Sequence, residues 1–382
     1  MTQPLLQAAD LRGAARLGPE TVADLARLLE VVQGTAAGPP GPVTASEVEA
    51  RVATLLDALA PDLLDAPPHQ PVRPEREALR AAFNGVFGDV LAARDHPLAI
   101  PMALRVAGRP LLPDRLALRA RLTGITPRLL LLVHDLCLND LQWSVDGHDH
   151  GAALARELGY TPVYLHYNSG LSISTNGRLL AALMERLHDA WPGPVERLVL
   201  LGHGMGGLVA RSALHHGAHL QRGGLRWPAR VDDLVCLGSP HHGAPLERAG
   251  HGVDRLLGAA PGAAALARLA RRHSAGIEDL RRGHLLLGAA AGEADLPAAH
   301  VPLPPGTRCH ALAACCGPSS GSLKARREGD GLVPQASALG QHEDPARHLP
   351  FPPAHQAVVH GIDHLALRSA PAVFQWLQSR LG

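Results

Sequence analysis

A glycine-rich turn near the middle of the chain carries the first signal of chemistry. Residues 201–207 read LGHGMGG, which has the spacing of the G-x-S-x-G turn that presents a serine nucleophile between a strand and a helix. The central residue of that turn adopts a backbone conformation that only glycine reaches without strain, and its side chain supplies the attacking oxygen. Here the central residue is Gly204, so the nucleophile position holds no oxygen.

An acid and a base follow this turn in the chain order that a nucleophile–acid–histidine triad uses. Asp330 follows a predicted strand at 307–313, and His364 follows a predicted strand at 356–360. In such a triad the histidine takes a proton from the attacking group, and the acid orients the imidazole and stabilises its charged form. Taken singly, Asp330 is also compatible with an ordinary Asp-Gly turn. His364 is also compatible with a histidine at the start of a helix. Their common order favours the functional interpretation.

The elements that must position these residues alternate between buried strands and amphipathic helices. This alternation predicts an α/β fold with a mostly parallel central sheet covered by helices on both faces. The predicted strands are 129–133, 162–166, 197–201, 233–237, 307–313 and 356–360, and the predicted helices are 149–158, 175–190, 205–216 and 370–381. An antiparallel pair is predicted before them, because residues 102–106 and 116–122 alternate apolar with smaller or charged side chains around a turn at 108–110.

The pattern also divides the chain into parts. Three apolar helical faces separated by proline-rich joints predict a helical N-terminal extension over residues 1–98, with the α/β core over residues 99–382. An insertion at about 244–300 interrupts the strand–helix alternation between the sixth and seventh strands. Its leucines have helical spacing, which predicts a cap or lid over a pocket.

Composition narrows the class of protein. A chain of 382 residues that is 46% hydrophobic can bury a large core and still carry an extension. The net charge of +1, without a basic stripe interleaved with aromatics, argues against a nucleic-acid partner. The N-terminus has no signal-peptide pattern, no apolar run approaches the length of a membrane span, and the five cysteines follow no paired framework. These features predict a cytoplasmic protein and leave peripheral membrane contact and the oligomeric state open.

Five motifs occur in order along residues 100–382. They are VHDLCLNDLQW at 133–143, GHGMGG at 202–207, LGSPHHGAPLE at 237–247, GDGLVP at 329–334 and DHL at 363–365. In this arrangement the chain resembles the α/β-hydrolase superfamily, and within it bacterial lipase/esterase-like proteins related to GPI inositol-deacylases. The resemblance implies an α/β-hydrolase fold and hydrolysis of a carboxylic ester, and the apolar cap suggests an acyl or lipid-like substrate.

Two positions depart from the family pattern. Gly204 stands where members carry serine, and Asp135 stands where they have glycine after the histidine of the oxyanion loop. The resemblance implies that the N–H groups of Leu136 and Met205 form the oxyanion hole. A charged Asp135 at about 5 Å would then cost roughly 3 kcal/mol at an effective dielectric near 20, unless burial keeps it protonated. Two independent losses predict inactivity by the serine mechanism.

Other nucleophiles and metal ligands are disfavoured by their positions. Ser212 would face away from the attack position, Ser239 follows a different strand, and Cys137 is interpreted as a buried thiol. Histidines cluster at His148 and His150, at His215, His216 and His219, and at His241 and His242. Because no acidic or cysteine partner repeats at fixed spacing beside these histidines, the sequence predicts neither a metal nor a cofactor.

Four hypotheses remain at this stage. The leading one is an esterase/lipase-like protein that has lost its nucleophile and binds an ester or lipid-like ligand. The alternative is a working hydrolase that uses water activated by the His364–Asp330 pair. A third is that Gly204 is a recent replacement, so that restoring serine alone restores activity. The fourth is a structural or partner-docking role that involves the N-terminal helices.

Overall fold

The computed structural model describes residues 72–219, 224–245, 274–286, 300–318 and 327–382. Two of the three helical faces predicted for the N-terminal extension lie outside the described residues. Most of the cap predicted at about 244–300 also lies outside them, except for its two ends and a short helix.

A single mixed sheet forms the centre of the described structure. Its strands are β1 (Ala103–Val106), β2 (Arg109–Leu111), β3 (Arg128–Val133), β4 (Thr161–His166), β5 (Arg197–His203), β6 (Val231–Leu237), β7 (Arg308–Cys315) and β8 (Gln356–His360). They lie in the order β2-β1-β4-β3-β5-β6-β7-β8. The strands from β3 to β8 pair in parallel, whereas β1 pairs antiparallel with both β2 and β4. The predicted fold class, a mostly parallel sheet with antiparallel first strands, is confirmed.

The central strands are apolar along their whole length because both faces of the sheet are covered. In β3, Leu131 and Val133 belong to the hydrophobic core on one face, while Leu130 and Leu132 belong to the core on the other. Successive side chains of a strand point to opposite faces, so a strand between two helical layers needs apolar residues at every position. This burial explains why the strand runs are continuous rather than alternating.

Helices pack on both faces of this sheet. They are α1 (Pro74–Ala93), α2 (Arg115–Arg121), α3 (His150–Leu158), α4 (Ile173–Ala190), α5 (Met205–His219), α6 (Ala275–Arg282), α7 (Gln335–Ala338) and α8 (Pro371–Leu381). Short 3-10 helices lie at Asp140–Trp143, Trp227–Arg230, Pro353–His355 and Leu365–Arg368. None of the helices that the structure describes is both long enough and apolar enough to cross a membrane.

The strand order reverses at the centre of the sheet. From β3 the chain crosses to β4 on one side, and it later returns to β5 on the other side of β3. In open parallel sheets this reversal leaves a crevice at the carboxyl ends of the strands, where ligands bind. Asp135 lies just after β3 and Gly204 just after β5, so the topology brings both departures from the family pattern to this crevice.

The prediction of a strand at residues 116–122, the second of the opening pair, is wrong. Residues 109–111 pair with β1, and residues 115–121 form helix α2 instead of a strand. The side chain of Asp114 accepts hydrogen bonds from the N–H groups of Leu116 and Ala117, which starts the helix. Leu118 is buried whereas Leu116 is 76% exposed, so the alternation that suggested a strand does not correspond to burial.

Helix α1 belongs to the hydrophobic core on one face of the sheet. Leu79, Phe83 and Val86 are fully buried and share one hydrophobic core with Leu131 of β3. Asn84 ties the helix to the segment that follows it. Its Nδ2 donates to the carbonyl oxygen of Leu98 at 2.9 Å, and its Oδ1 accepts from the N–H of Ile100 at 2.9 Å.

Replacing this buried amide tests how firmly α1 is bound. We expect Asn84→Ala to lower the free energy of unfolding by about 1–3 kcal/mol, because it leaves the buried N–H of Ile100 without its acceptor and removes one of the two donors to the carbonyl oxygen of Leu98. Urea unfolding followed by circular dichroism measures the change. Gln341→Ala, which removes an amide from an exposed side chain, is the control and is expected to stay within about 0.5 kcal/mol of the native chain. Equal stabilities of the two variants would contradict the prediction.

Candidate functional site

Gly204 forms a tight turn between β5 and α5. Its φ of 52° lies in the left-handed region that favours glycine. The flanking glycines permit close packing: a Cβ on Gly206 would lie 2.1 Å from the carbonyl oxygen of Val133, and a Cβ on Gly202 would lie 2.3 Å from the nitrogen of Gly207. The glycine spacing seen in the sequence therefore reflects how closely this turn packs on itself and on β3.

The carboxylate of Asp135 occupies the space that a side chain at position 204 would need. A Cβ built on Gly204 would lie 2.2 Å from Cγ of Asp135 and 2.2 Å from its Oδ1, well inside contact distance. The backbone N–H of Met205 donates to Oδ1 of Asp135 at 2.5 Å. The side chain of Asp135 is thus held at the turn, although it comes from a loop 70 residues earlier in the chain.

The loop after β3 holds Asp135 in this position through its backbone. His134 Nδ1 donates to the carbonyl oxygen of Asp135 at 2.8 Å, and the N–H of Leu138 donates to the same oxygen at 3.2 Å. The hydroxyl of Tyr167 donates to the carbonyl oxygen of His134 at 2.8 Å, and the two rings stack. His134 and Tyr167 were not singled out in the sequence. The only signal available was the position of His134 directly before Asp135.

His364 lies between two carboxylates. Its Nδ1 is 2.7 Å from Oδ2 of Asp330, and its Nε2 is 2.9 Å from Oδ2 of Asp135. Asp330 is itself fixed, because its Oδ1 accepts from the N–H groups of Leu332 at 3.0 Å and Val333 at 2.7 Å. All three side chains of this carboxylate–histidine–carboxylate centre are at least 97% buried.

The charges of this centre shift the pKa values of its members in opposite directions. Burial lowers the pKa of His364, but the charge of Asp330 and the hydrogen bonds that the imidazole donates to both carboxylates outweigh burial and raise this pKa to about 10. Burial raises the pKa of Asp135, but the hydrogen bond and charge of His364 outweigh it and lower the pKa to about 2. At neutral pH the imidazole is therefore protonated and Asp135 is charged.

This arrangement differs from the one expected for Asp135. The sequence suggested either a charge that repels a nearby oxyanion or a carboxyl protonated by burial. Instead, the charged carboxylate of Asp135 accepts a hydrogen bond from the N–H of Met205, which is one of the two donors expected for the oxyanion hole. The second expected donor, Leu136, follows Asp135 in the same loop and is buried. Gly204 and Asp135 are also coupled rather than independent, because only glycine at position 204 leaves room for this carboxylate.

His203 is a further member of the centre that sequence reasoning missed. Its Nε2 donates to the carbonyl oxygen of His364 at 2.9 Å, and its ring lies 4.6 Å from the ring of His364. Burial lowers the pKa of His203 to about 3, so it stays neutral. Ligand-type atoms of Asp135, His203 and His364 lie within 4.8 Å of one another. Both ring nitrogens of His364 are already bonded to carboxylates, so the set is a hydrogen-bonded centre and does not fit a metal in this form.

A small cavity adjoins the centre. Asp135, Gly204 and His364 form one side of it, and the remaining described wall is apolar: Pro240, Ala244, Leu280, Leu332 and Val333. Its volume of about 10 Å³ is close to the minimum that holds one water molecule.

None of the other nucleophile candidates is hydrogen-bonded to His364, whose ring nitrogens bond Asp330 and Asp135. The hydroxyl of Ser212 is buried and donates to the carbonyl oxygen of Leu285 at 2.7 Å. Ser239 packs against the far side of the turn, 2.1 Å from where a Cβ on Gly207 would lie. Cys137 is buried, and burial raises the pKa of its thiol far above the usual range. None of the three is an activated nucleophile.

The histidine groups that suggested a metal are occupied by other contacts. His148 Nε2 and His150 Nδ1 share a hydrogen bond of 2.8 Å, and His150 Nε2 donates to the carbonyl oxygen of Leu367. The rings of His215 and His219 stack at 4.2 Å. His241 accepts a hydrogen bond from Arg211.

Comparisons with known proteins bear on the fold. Residues 167–259 match the family model of the PGAP1-like alpha/beta domain. No curated protein matches the chain. Among solved structures it is similar to the Bacillus licheniformis lipase BlEst2 in its mature form, at 19% identity and a TM-score of 0.47 over 74% of this chain and 98% of that one. It is also similar to the Staphylococcus hyicus lipase, at 11% identity and a TM-score of 0.39 over 67% of this chain and 94% of that one.

Three features of the described structure agree on the fold. The sheet is eight-stranded and mostly parallel, with an antiparallel opening. A glycine turn follows β5, and an aspartate–histidine pair follows β7 and β8. We conclude that the chain has the α/β-hydrolase fold and is similar to the PGAP1-like alpha/beta domain family over residues 167–259.

Proposed function

We propose that this chain is an esterase/lipase-like α/β-hydrolase protein that does not use the serine mechanism and instead binds an ester or lipid-like ligand. The observation that carries the proposal is the position of Asp135. Its carboxylate fills the space of a serine side chain at position 204 and is bonded to both Met205 and His364. Acyl transfer to a serine therefore has neither an attacking oxygen nor an open site for one.

The protonation of His364 argues against the water-activating alternative. A general base needs a free nitrogen lone pair at the working pH. Nε2 of His364 holds a proton against Asp135, and the two carboxylates raise the pKa of this imidazole to about 10. Near neutral pH only a very small fraction of the protein has a neutral His364. Turnover by this route is expected to be correspondingly slow.

The wall beside the centre supports an apolar ligand group. Leu280, Leu332 and Val333 are almost fully buried and, with Pro240 and Ala244, form the described wall of the cavity beside His364. Apolar walls with a few polar groups at one end are typical of small-molecule sites. Because the cavity of about 10 Å³ is too small for a whole acyl chain, this wall would contact only the part of the ligand nearest His364.

The cysteines support the cytoplasm as the location. Cys137, Cys236, Cys309 and Cys315 are buried and free, and Cys316 is exposed and free. Thiols that stay reduced are typical of a reducing compartment. Contact with the surface of a membrane is compatible with this location.

The test is ester hydrolysis and covalent labelling of the native chain. We expect no labelling by a fluorophosphonate probe, because both ring nitrogens of His364 are bonded to carboxylates and so none of the described serines is bonded to it. We also expect p-nitrophenyl esters of short to long acyl chains to raise the melting temperature through binding, without release of p-nitrophenol above that of the His364→Ala variant. His219→Ala, at an exposed position, is the control for replacing a histidine.

Two results would contradict the proposal. Labelling of the native chain would show an activated serine. Hydrolysis by the native chain that is lost in His364→Ala but kept in His219→Ala would instead establish the water-activating mechanism.

A further inference from the structure

Arg211 is a buried arginine without a carboxylate partner among the described residues. It lies on α5, two turns after Gly204, and is 2% exposed. Its Nη1 donates to Nδ1 of His241 at 3.1 Å, and its Nη2 donates to the carbonyl oxygen of Val301. Its Nε is buried and has no hydrogen-bond partner in the part of the chain that the structure describes. Arginine is almost never fully buried unless it is paired.

The described residues around Arg211 do not supply a negative charge that balances it. Cys236 and Cys309 are the nearest groups that could carry one, but burial raises the pKa of each thiol to about 12. Burial lowers the pKa of Arg211 only to about 10, so the guanidinium stays charged at neutral pH. A buried charge with neutral neighbours costs several kcal/mol, and a bound anion removes this cost.

A second buried donor lies beside the guanidinium. Because Nδ1 of His241 accepts a proton from Arg211, the proton of this neutral ring is on Nε2. Nε2 of His241 is buried and has no hydrogen-bond partner among the residues that the structure describes. Two N–H donors, one on Arg211 and one on His241, are therefore left unsatisfied at the same place, although buried donors are satisfied in most native structures.

A small cavity with basic walls adjoins these donors. Arg211, His241, His242, His300 and Arg347 line it, and its described walls include no acidic side chain. Its volume of about 30 Å³ exceeds the 10 Å³ of the cavity beside His364. Arg347 and His300 are exposed and stand at the solvent side, whereas Arg211 and His241 are buried. The cavity thus suits a small charged group rather than an acyl chain.

We propose that this basic cavity binds a phosphate group, with Arg211 and His241 as the buried donors and Arg347 at the entrance. Phosphate is favoured because its several oxygens can accept hydrogen bonds from convergent N–H groups, and arginine binds such oxygens at two points. The group comes either from free phosphate or from the headgroup of an anionic lipid. This proposal does not depend on the proposed function, because the cavity includes neither Asp135 nor His364.

The loop at 240–245 places this site beside the centre. Pro240 and Ala244 form part of the wall beside His364, while His241 and His242, between them, line the basic cavity. A ligand with an anionic group and an apolar group could therefore contact both cavities through one loop.

Calorimetry of the full chain with inorganic phosphate tests the site. We expect saturable binding with a Kd below about 1 mM. Arg347→Gln, which removes an exposed guanidinium, is expected to weaken binding about fivefold or more, and Arg211→Met to abolish it. Arg230→Gln, at an exposed arginine outside the cavity, is the matched control and is expected to bind as the native chain does. Circular dichroism verifies the fold of each variant.

Vesicles distinguish the two sources of phosphate. Phosphatidylcholine vesicles with and without phosphatidic acid are sedimented with the native chain. Retention only with phosphatidic acid, competed by inorganic phosphate, supports a lipid headgroup, and binding of soluble phosphate without retention supports a free phosphate. Absence of saturable phosphate binding by the native chain would overturn the proposal. The proposal would also be overturned if Arg347→Gln and a folded Arg211→Met variant both bound phosphate as the native chain does.

Discussion

The double variant Asp135→Gly with Gly204→Ser hydrolyses p-nitrophenyl esters at least about 10³-fold faster than the native chain, whereas Gly204→Ser alone does not. The double variant removes the carboxylate from the nucleophile position and supplies a hydroxyl there. It also leaves the Asp330–His364 pair intact, at 2.7 Å, as the base. Removal of Asp135 lowers the pKa of His364, because one of its two carboxylate partners is lost. The expected gain reflects what a nucleophile–histidine unit contributes in well-studied hydrolases.

The single variant fails for a steric and an electrostatic reason. The Cβ of a serine at position 204 would lie 2.2 Å from Cγ of Asp135, so the carboxylate must leave its bonds to His364 and Met205. The turn at φ 52° also strains any non-glycine residue by about 1–3 kcal/mol. We therefore expect Gly204→Ser to be less stable than the native chain and inactive.

Two further variants complete this experiment. Asp135→Gly alone opens the space without adding a nucleophile and is expected to stay near the native rate. The triple variant with His364→Ala is expected to lose the activity gained by the double variant. If Gly204→Ser alone matched the double variant, the coupling of the two positions would be refuted, and Gly204 would be an isolated replacement.

The second prediction with a large expected effect is that the free energy of unfolding of the native chain depends on pH. The pKa of His364 is raised from 6.5 to about 10 by folding, so its stabilisation is complete below about pH 6.5 and is lost as the pH rises through about 10. The free energy of unfolding is expected to fall by several kcal/mol over this interval, with a slope of at most about 1.4 kcal/mol per pH unit from this one group.

At acidic pH the stabilisation changes in the opposite direction, because it depends on Asp135 and is lost as the pH falls. Folding lowers the pKa of Asp135 from 3.8 to about 2, so its stabilisation is complete above about pH 3.8 and is lost as the pH falls through about 2. Stability from this pair is therefore greatest between about pH 4 and pH 6.5. Urea unfolding at a series of pH values, followed by circular dichroism, measures both limbs.

Asp135→Asn separates this effect from the other titrating groups. The amide keeps the shape of the side chain but removes one of the two charges that hold the proton on His364. The loss of stability above pH 6.5 is therefore expected to be smaller in Asp135→Asn than in the native chain. Glu343→Gln, at an exposed carboxylate, is the control and is expected to keep the native dependence. If the free energy of unfolding fell with pH equally steeply in Asp135→Asn and in the native chain, the inference that Asp135 and His364 form a charged pair would be refuted.

Local sequence patterns were sufficient for the strand–helix order and for the glycine turn. Strand and helix formation depends mainly on the periodicity of apolar side chains within one segment, and the sixth predicted strand, at 356–360, coincides with β8. The turn at Gly204 was predicted because glycine spacing reports local backbone conformation and close packing. The exception is 115–121, where seven residues were too few to distinguish a strand from a helix started by Asp114.

The chemical state of the centre was decided by the tertiary structure. Asp135 and His364 are 229 residues apart, and no local pattern indicates that this carboxylate enters the space above Gly204 and stabilises the protonated form of the expected base. Arg211 likewise looks like an ordinary helical arginine until packing buries it without a carboxylate among the described residues. The sequence by itself determined which elements form and which residues stand at their ends. Only the fold decided which side chains meet, because charge, burial and steric overlap depend on distances that separate segments acquire when they pack.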